Sequence, residues 1–272
     1  MASQDAPDED RYDFGQPSIA RVWNAATGGK DNLEPDRDVL DALTKTAPEL
    51  RVAARAQLEF VTRATNVVAE LGIHQWLNLG CGLPPQGCDT TYDTVIRHSR
   101  DSRVVYADND PQVTVHGRAL LDVGGTATMV VHADARNVDL VLAAASSVLD
   151  FRQRVGLVAT ALVHFWPDSD DPGGVMRRYQ AAFPGGYLII SHARRDLLTD
   201  EEYEQMTADY RRTADMYARS LPVIRSMFLD GLDVLEPGLV EASTWRPDDP
   251  VLLDVGRAHF LAAVAGFGQY AA

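Results

Sequence analysis

The sequence predicts an α/β fold in which a mostly parallel β-sheet follows a helical N-terminal extension. Three observations support this prediction. Beyond residue 72, short runs rich in β-branched residues alternate with helix-compatible segments, which is typical of parallel strands joined by right-handed crossovers. Before residue 72 the apolar residues recur only at helical spacing. Two late β-rich runs can form an antiparallel hairpin at the sheet edge.

The predicted organisation has three parts. Residues 1–16 are acidic and without periodicity, which predicts a disordered tail. Residues 17–72 form a helical cap, and 73–272 form the α/β domain. Helices are expected in the cap at about 18–25, 35–46 and 48–72. Ser18 can cap the first of these helices, and Pro35 and Pro48 can start the other two.

Five strands and four intervening helices are predicted in the α/β domain. The strands are expected at 76–79, 103–107, 128–132, 157–163 and 187–192. The helices are expected near 89–99, 112–122, 138–149 and 173–183. A charged helical stretch follows at 200–220, and the two late strands are expected at 232–235 and 255–264.

Composition limits the classes of function. The formal net charge is −14, with 39 acidic against 25 basic residues, so nucleic acid is not an expected partner. No run of about 18 uncharged apolar residues and no basic, apolar leader is present, which predicts a cytoplasmic protein without a membrane segment. Cys81 and Cys88 lack a CxxC or His-rich setting, so free thiols and no metal site are expected. Composition predicts no oligomeric state.

A glycine turn follows the first predicted strand, where open parallel sheets bind ligands. Asn78 ends that strand, and Gly80, Cys81 and Gly82 form a GxG turn. Missing side chains let the backbone approach a ligand closely. A single GxG is also a common structural turn, so it indicates a binding site only in combination with other residues.

Carboxylates follow the next two predicted strands. Asp108 and Asn109 follow the second strand, and the Asp108 carboxylate can accept both hydroxyls of a ribose. Asp134 and Ala135 follow the third strand, and Asp134 can accept a hydrogen bond from an adenine amino group. The alternative for Asp134 is a helix cap, because Arg136 leads into a helical segment.

The residues after the glycine turn favour a nucleoside over a dinucleotide. A dinucleotide fingerprint would place glycine at position 85, where the sequence has Pro84 and Pro85. The two prolines delay the helix, and the longer loop suits a ligand without phosphate, such as adenosine linked through sulfur to an amino acid. An NAD(P)-dependent oxidoreductase remains the less favoured alternative.

Five segments of the chain resemble one known family. They are PSIARVWN…GGKDN at 17–32, NLGCGLPPQG at 78–87, VVYADNDP at 104–111, LVHFWPD at 162–168 and GLDVLEPGLV…WRP at 231–247. The resemblance is to the S-adenosylmethionine-dependent methyltransferases once catalogued as a domain of unknown function, mostly from actinobacteria. It implies the class I, Rossmann-like fold, S-adenosyl-L-methionine as cofactor and S-adenosyl-L-homocysteine as product. It also implies cofactor roles for Gly80, Gly82, Asp108 and Asp134.

The sequence departs from this family in the glycine turn. Asn78 stands where the family usually has an acidic residue, and Cys81 stands where it tends to have threonine. The Asn78 carbonyl can still bind the ammonium group of the cofactor, but without a charge. A protein that binds S-adenosylmethionine without catalysis is therefore a second alternative.

Residues before the sheet can also reach the cofactor. Asn24, Gly29 and Lys30 lie in or beside the GGKDN segment, which could fold over the cofactor. Lys30 is then expected to bind the methionine carboxylate. The alternative is a turn between two helices.

The methyl acceptor is expected to be a small molecule that attacks by direct displacement. His164 follows the fourth predicted strand and could act as general base, with its tautomer fixed by Asp168. The alternative is a histidine that packs against Phe165 and Trp166. An aromatic and methionine stripe could line an apolar substrate pocket or belong to the core; its members are Tyr203, Met206, Tyr210, Met216 and Tyr217.

Overall fold

The computed structural model describes residues 15–121, 127–248 and 260–269. Most of the predicted tail at 1–16 lies outside the described residues. Residues 255–259 of the last predicted strand also lie outside them. Among the described helices, none is both long and apolar enough to cross a membrane.

Three helices precede the sheet, as the sequence predicts. They are α1 at Ile19–Ala26, α2 at Glu34–Thr46 and α3 at Leu50–Glu70. On α3, the fully buried residues Phe60, Ala64 and Val68 recur every four positions, so one face of the helix packs against the core. Helix α3 thereby lies across the sheet and brings its neighbouring face towards the strand ends.

The sheet contains eight strands within the described residues. They are β1 at Gln75–Leu79, β2 at Arg103–Asp108, β3 at Thr128–His132, β4 at Val155–Thr160, β5 at Gly185–Ala193, β6 at Asp233–Val234, β7 at Val240–Glu241 and β8 at Phe260–Gly268. Their order is β3-β2-β1-β4-β5-β8-β6, and β7 also pairs with β8. The first five strands are parallel, and β8 runs antiparallel to β5, β6 and β7. The predicted mostly parallel sheet with an antiparallel edge is confirmed.

Helices connect the strands on both faces of the sheet. They are α4 at Thr91–Val95, α5 at Pro111–Leu120, α6 at Val138–Ala145, α7 at Pro172–Ala181, α8 at Asp200–Tyr210 and α9 at Leu221–Phe228. Alternate residues of β5 contact opposite layers: Tyr187 and Ile189 join the apolar cluster beneath α1 to α3, while Leu188 and Ile190 join the cluster beneath α6, α7 and α9. The core therefore has two layers, one on each face of the sheet.

Several predicted elements end earlier than the sequence suggested. Helix α4 ends at Val95 rather than near 99, and α6 ends at Ala145 rather than near 149. Strand β4 ends at Thr160 rather than at Val163, because Ala161 has a φ of +51° and the chain then forms a 3₁₀ turn at Val163–Phe165. The predicted helix at 200–220 ends at Tyr210. The following segment is held against the strand ends, where the backbone N–H of Tyr217 donates to the carbonyl of His164 at 2.6 Å. The sequence analysis missed α9 and β7.

Candidate functional site

A cavity lies at the carboxyl ends of β1, β2 and β4, beneath α1 and α3. The space between its walls is about 1180 Å³, a volume that includes the open solvent at its mouth. Its lining comes from α1, α3, the turn after β1, the ends of β2 and β4, and the end of α8. It is therefore located at the edge of the sheet where open α/β sheets bind ligands.

One side of the cavity is the glycine-turn wall, which we define as Asn78, Gly80, Cys81, Gly82 and Asp108. The turn needs its glycines for two reasons. Gly80 and Gly82 have φ values of +61° and +64°, which other residues rarely adopt. A Cβ on Gly80 would also lie 2.5 Å from Leu162 Cδ1, whereas a Cβ on Gly82 would meet nothing within 4 Å. Gly82 thus faces open space.

The Asp108 carboxylate is buried at the base of this wall. Its Oδ2 accepts the backbone N–H of Gly82 at 2.9 Å, and its Oδ1 accepts that of Asp110 at 2.9 Å. Burial raises the pKa of Asp108 above its ordinary value, an effect that these backbone hydrogen bonds oppose. Each oxygen keeps a further lone pair, so the carboxylate can bind two ligand hydroxyls while it holds the turn.

Asn78, Cys81 and Asn109 also line the cavity. The Asn78 Nδ2 donates to Thr91 Oγ1 at 3.0 Å, which leaves its Oδ1 as the acceptor for a ligand. Burial raises the pKa of the Cys81 thiol well above its ordinary value, and the Asp108 charge adds to this effect, so the thiol is neutral. Asn109 is exposed, and its backbone carbonyl accepts a hydrogen bond from His132 Nε2 at 3.1 Å.

Asp134 and Ala135 do not line this cavity. The Asp134 carboxylate accepts the backbone N–H of Arg136 at 2.8 Å and the guanidinium of the same residue at 3.0 Å. Arg136 also pairs with Asp170 at 2.6 Å. Asn137 caps α6 in place of Asp134, because its Oδ1 accepts the backbone N–H of Leu140 at 3.3 Å. Asp134 therefore stabilises a local turn.

Asn24, Gly29 and Lys30 lie outside the cavity, with Asn24 near the end of α1 and the other two in the turn between α1 and α2. The buried Asn24 Oδ1 accepts a hydrogen bond from Asn32 Nδ2 at 3.0 Å, and the Asn24 carbonyl accepts the N–H of Gly29 at 2.8 Å. A Cβ on Gly29 would lie 2.3 Å from Asn24 Nδ2, so this packing requires glycine. Lys30 is exposed. The geometry is that of the helix–helix turn given above as the alternative.

Helix α1 itself covers the cavity, with Ile19, Ala20 and Trp23 in the lining. A buried ion pair anchors the helix, because Arg21 Nε donates to Asp36 Oδ2 at 2.7 Å. Arg21 Nη1 also donates to Gln112 Oε1 at 2.7 Å in α5, close to the loop that follows Asp108. The sequence analysis placed Asn24 on this helix and the other expected contacts with the cofactor in the turn that follows it.

The opposite side of the cavity is the aromatic wall, which we define as Trp23, Gln57, His164, Phe165 and Tyr210. The ring centroids of His164 and Phe165 are 4.4 Å apart, and those of Phe165 and Tyr210 are 6.0 Å apart. Gln57 is buried on α3, and its Nε2 donates to Ser191 Oγ at 3.2 Å. The members of the predicted aromatic and methionine stripe therefore have different places in the structure. Tyr210 alone among them lines the cavity, whereas Met206 and Met216 are core residues.

His164 has the environment of a neutral hydrogen-bond donor. Its Nδ1 accepts the backbone N–H of Ala193 at 3.4 Å, so the ring hydrogen resides on Nε2. Burial lowers the pKa of His164 well below its ordinary value, and the nearby His192 and Arg219 lower it further. With the Nδ1 lone pair engaged and Nε2 protonated, the ring is arranged to donate a hydrogen bond rather than to accept a proton. The geometry therefore does not favour the expected general base.

Arg219 holds the loop that carries His164. It is buried, and it donates to the carbonyl of Trp166 at 2.7 Å and to Asp168 Oδ1 at 2.7 Å. Its Nη1 also donates to His192 Nε2 at 2.9 Å, so the hydrogen of His192 resides on Nδ1. Burial lowers the pKa of His192 to about 3. Asp168 thus orients Arg219 and makes no contact with His164, contrary to expectation.

Comparison with known proteins places this geometry in a family. The profile of the S-adenosyl methyltransferases matches residues 5–269. A DUF574 family protein from Streptomyces avermitilis MA-4680 is 31% identical, with a TM-score of 0.86 over 94% of this chain and 99% of the other. A candidate methyltransferase from Thermobifida fusca YX is 32% identical, with a TM-score of 0.86 over 94% and 97%. The search of curated proteins found no match.

A more distant structure shares only the fold. It is the plantazolicin methyltransferase BpumL in complex with a monoazolic desmethylPZN analogue and S-adenosylhomocysteine, with 9% identity and a TM-score of 0.51 over 93% of this chain and 95% of the other. The family match over almost the whole sequence excludes the NAD(P)-dependent oxidoreductase and makes S-adenosylmethionine the cofactor. The chain belongs to the S-adenosyl methyltransferase family and is an S-adenosylmethionine-dependent methyltransferase.

Proposed function

We propose that the enzyme methylates a small-molecule acceptor by direct displacement, within the single cavity that joins the glycine-turn wall to the aromatic wall. That juxtaposition carries the proposal. One wall has the backbone turn and carboxylate that a nucleoside needs, and the facing wall has a neutral aromatic surface suited to an organic acceptor. The net charge of −14 also favours a small molecule over nucleic acid.

The residues of the glycine-turn wall fit the cofactor. Asp108 would bind the ribose hydroxyls, Gly82 would allow close approach of the ligand, and the free Oδ1 of Asn78 would accept from the ammonium group. Cys81 and Asn109 would complete this side of the site. When bound, S-adenosylmethionine supplies the methyl group, its carbon–sulfur bond breaks as the bond to the acceptor forms, and S-adenosylhomocysteine is released.

The protein's contribution is positioning and exclusion of water. Trp23 and Phe165 would hold the acceptor in line with the cofactor, and such alignment can supply several kcal/mol of the acceleration, about 7–11 kcal/mol in the most favourable cases. His164 would donate from Nε2 to an acceptor oxygen or nitrogen. The proton that the nucleophile loses would pass to water at the mouth of the cavity, because no unpaired base lies in the aromatic wall among the described residues.

Three further assignments remain proposals. The chain would divide into a cap at 17–72 and a cofactor-binding domain at 73–272, and the enzyme would act in the cytoplasm. Asn24, Gly29 and Lys30 would support the cofactor site through the position of α1 rather than by direct contact, given their place in the turn after that helix.

Thermal shift and turnover test the function. S-adenosylhomocysteine at a hundred times its dissociation constant should stabilise the protein by about 2.7 kcal/mol, while NADH should have no effect. A screen of small molecules with S-adenosylmethionine should then yield a product that is heavier by one methyl group. Binding of S-adenosylhomocysteine without turnover of any acceptor would support the non-catalytic alternative instead.

A further inference from the structure

We propose that the aromatic wall selects an uncharged, flat aromatic acceptor that carries a hydrogen-bond-accepting atom, and that the Tyr210 hydroxyl donates to this atom. The inference deepens the proposed function and depends on it for the identity of the second ligand in the cavity. It concerns binding and selection, and it is carried by the contacts of Tyr210 and by the distribution of charge along the cavity.

The first step concerns charge. Among the described residues that line the cavity, Asp89 and Asp108 are the only ones with a full charge at neutral pH, and both belong to segments that follow β1 and β2. The aromatic wall has no charged side chain. The protein supplies no counter-charge there for an ionised acceptor, and the loss of hydration costs several kcal/mol per ion.

The second step concerns shape. Trp23 and Phe165 present aromatic rings to the cavity, and Leu58 and Val61 on α3 present aliphatic groups beside them. Each of these two rings packs against a neighbouring ring of the protein. The ring centroids of Trp23 and Phe260 are 5.4 Å apart in an edge-on arrangement, and those of Phe165 and His164 are 4.4 Å apart. Rings held in this way favour a flat aromatic partner through offset-stacked or edge-to-face contacts.

The third step concerns Tyr210. Its side chain is 5% exposed and lines the cavity, and its hydroxyl has no hydrogen-bond partner among the described residues. Burial raises its pKa, so the hydroxyl stays protonated and can donate. The hydroxyl is open to the cavity, so its hydrogen bond is available to whatever occupies that space. An acceptor atom on the ligand would take this hydrogen bond in place of water.

Tyr203 provides a matched comparison on the same helix. Its hydroxyl donates to the carbonyl of Met216 at 3.3 Å, and Arg195 lies over its ring at 4.4 Å. It therefore has its partners within the protein and does not line the cavity. Two tyrosines seven residues apart on α8 thus differ in one respect that matters here, since only Tyr210 has a hydroxyl left for a ligand.

Calorimetry at pH 7, with and without saturating S-adenosylhomocysteine, tests the proposal with three probes of similar size. These are 2-naphthol, the anion 6-hydroxy-2-naphthoate and the non-planar decahydro-2-naphthol. We expect 2-naphthol to bind at least about tenfold more tightly than either of the others. Tyr210→Phe should weaken 2-naphthol binding about three- to tenfold, the usual range for one hydrogen bond, and Tyr203→Phe should leave it unchanged.

The outcomes separate the inference from the function. If S-adenosylhomocysteine binds but 2-naphthol does not, or the anion binds as tightly, the inference is wrong and the proposed function stands. Equal effects of Tyr210→Phe and Tyr203→Phe would also overturn it. If S-adenosylhomocysteine fails to bind while the protein still prefers 2-naphthol in a Tyr210-dependent way, the proposed function fails and the selectivity stands.

Discussion

The two walls of the cavity differ in how the chain builds them. The glycine-turn wall comes from two short segments, at 78–82 and at Asp108, which lie at the carboxyl ends of β1 and β2. The aromatic wall combines α1, α3, the turn after β4 and the end of α8, so its members are up to 187 residues apart, from Trp23 to Tyr210. A local pattern can specify the first wall, whereas only packing over long sequence distances assembles the second.

The walls also differ in charge. This difference has the same cause as the difference in how the chain builds them. Asp108 stays at the strand end because backbone N–H groups of its own and the neighbouring turn hold its carboxylate. The aromatic wall is formed where helices cross the sheet, and these helices bury residues that have no such backbone donors nearby. Charge is therefore expected to matter on one side of the cavity and to be excluded from the other.

The largest effect should come from removing the charge of the glycine-turn wall. Asp108→Ala should weaken S-adenosylhomocysteine binding about 30- to 1000-fold, or roughly 2–4 kcal/mol, because two charge-assisted hydrogen bonds to the ribose are lost. Since burial raises the pKa of Asp108, wild-type affinity should also fall with decreasing pH earlier than for an ordinary carboxylate. Calorimetry from pH 7.5 to 5 measures both effects.

Asp108→Asn separates binding from folding in that experiment. The amide keeps one oxygen that can accept the Gly82 N–H but loses the acceptor for the Asp110 N–H, so the variant should fold, melt below the wild type and bind S-adenosylhomocysteine more weakly. If both variants bind with wild-type affinity, the ribose contacts another group. Asp110, which follows at the start of α5, would then be the next residue to test.

The second prediction tests the neutrality of the aromatic wall. Burial lowers the pKa of both His164 and His192, the latter to about 3, whereas an unfolded histidine titrates near 6.5. Below that pH the unfolded chain binds more protons, so the stability is present above pH 6.5 and is lost as the pH falls. Between pH 7 and 5.5 the free energy of unfolding should decrease by about 2 kcal/mol for the two residues.

Urea denaturation at pH 7 and 5.5 measures that loss. Burial raises the pKa of Asp108, so protonation of this carboxylate at lower pH stabilises the folded state and offsets the loss from the histidines. The pH range of the experiment therefore ends at 5.5. His164→Asn should remove about half of the pH dependence. Ring signals of wild-type His164 and His192 that shift between pH 8 and 5.5 in magnetic resonance spectra would contradict the prediction.

The third prediction adds a charge to the glycine-turn wall. Asn78→Asp should tighten binding of S-adenosylmethionine about three- to tenfold, because a carboxylate forms a stronger hydrogen bond with the ammonium group than an amide does. Thr91 can donate its hydroxyl to the new carboxylate, so the existing contact is kept. The affinity for 5′-methylthioadenosine, which lacks the ammonium group, should stay the same. Weaker binding of S-adenosylmethionine would mean that the turn has adapted to a neutral side chain.

The sequence predicted the fold well because its periodicities are local. The parallel strands were predicted to within two residues at most ends, as was the start of α5 at Pro111. The largest error among the parallel strands was the end of β4, where Ala161 takes a left-handed conformation that alanine rarely adopts. Ser191 Oγ accepts the Ala161 N–H at 2.9 Å and stabilises that bend. A local sequence pattern cannot predict a hydrogen-bond partner thirty residues away.

The site was predicted in part for the same reason. Asn78, Gly80 and Asp108 follow strands directly and line the cavity. Gln57 was missed, because a polar residue on a long helix looks like many others until the helix crosses the sheet. Trp23 is the signal that could have been used, since a large aromatic residue one turn before the GGKDN segment indicates that α1, not the turn, covers the cavity.

The smallest effect is expected at Asp134, the strand-end carboxylate that lies outside the cavity lining. Its side chain is 35% exposed, and Arg136 already occupies both of its oxygens. An adenine amino group would therefore gain one partly solvated hydrogen bond, and Asp134→Ala should weaken S-adenosylhomocysteine binding only about two- to fivefold, within the range for a single hydrogen bond. The inosine analogue of S-adenosylhomocysteine, in which a carbonyl replaces the amino group, provides the control. Its affinity should not fall in the variant, because its carbonyl cannot donate to a carboxylate. If Asp134→Ala lowered the affinity for S-adenosylhomocysteine as much as Asp108→Ala does, Asp134 would have to break its ion pair with Arg136 and bind the adenine base. The carboxylates at the two strand ends would then contribute equally to cofactor binding.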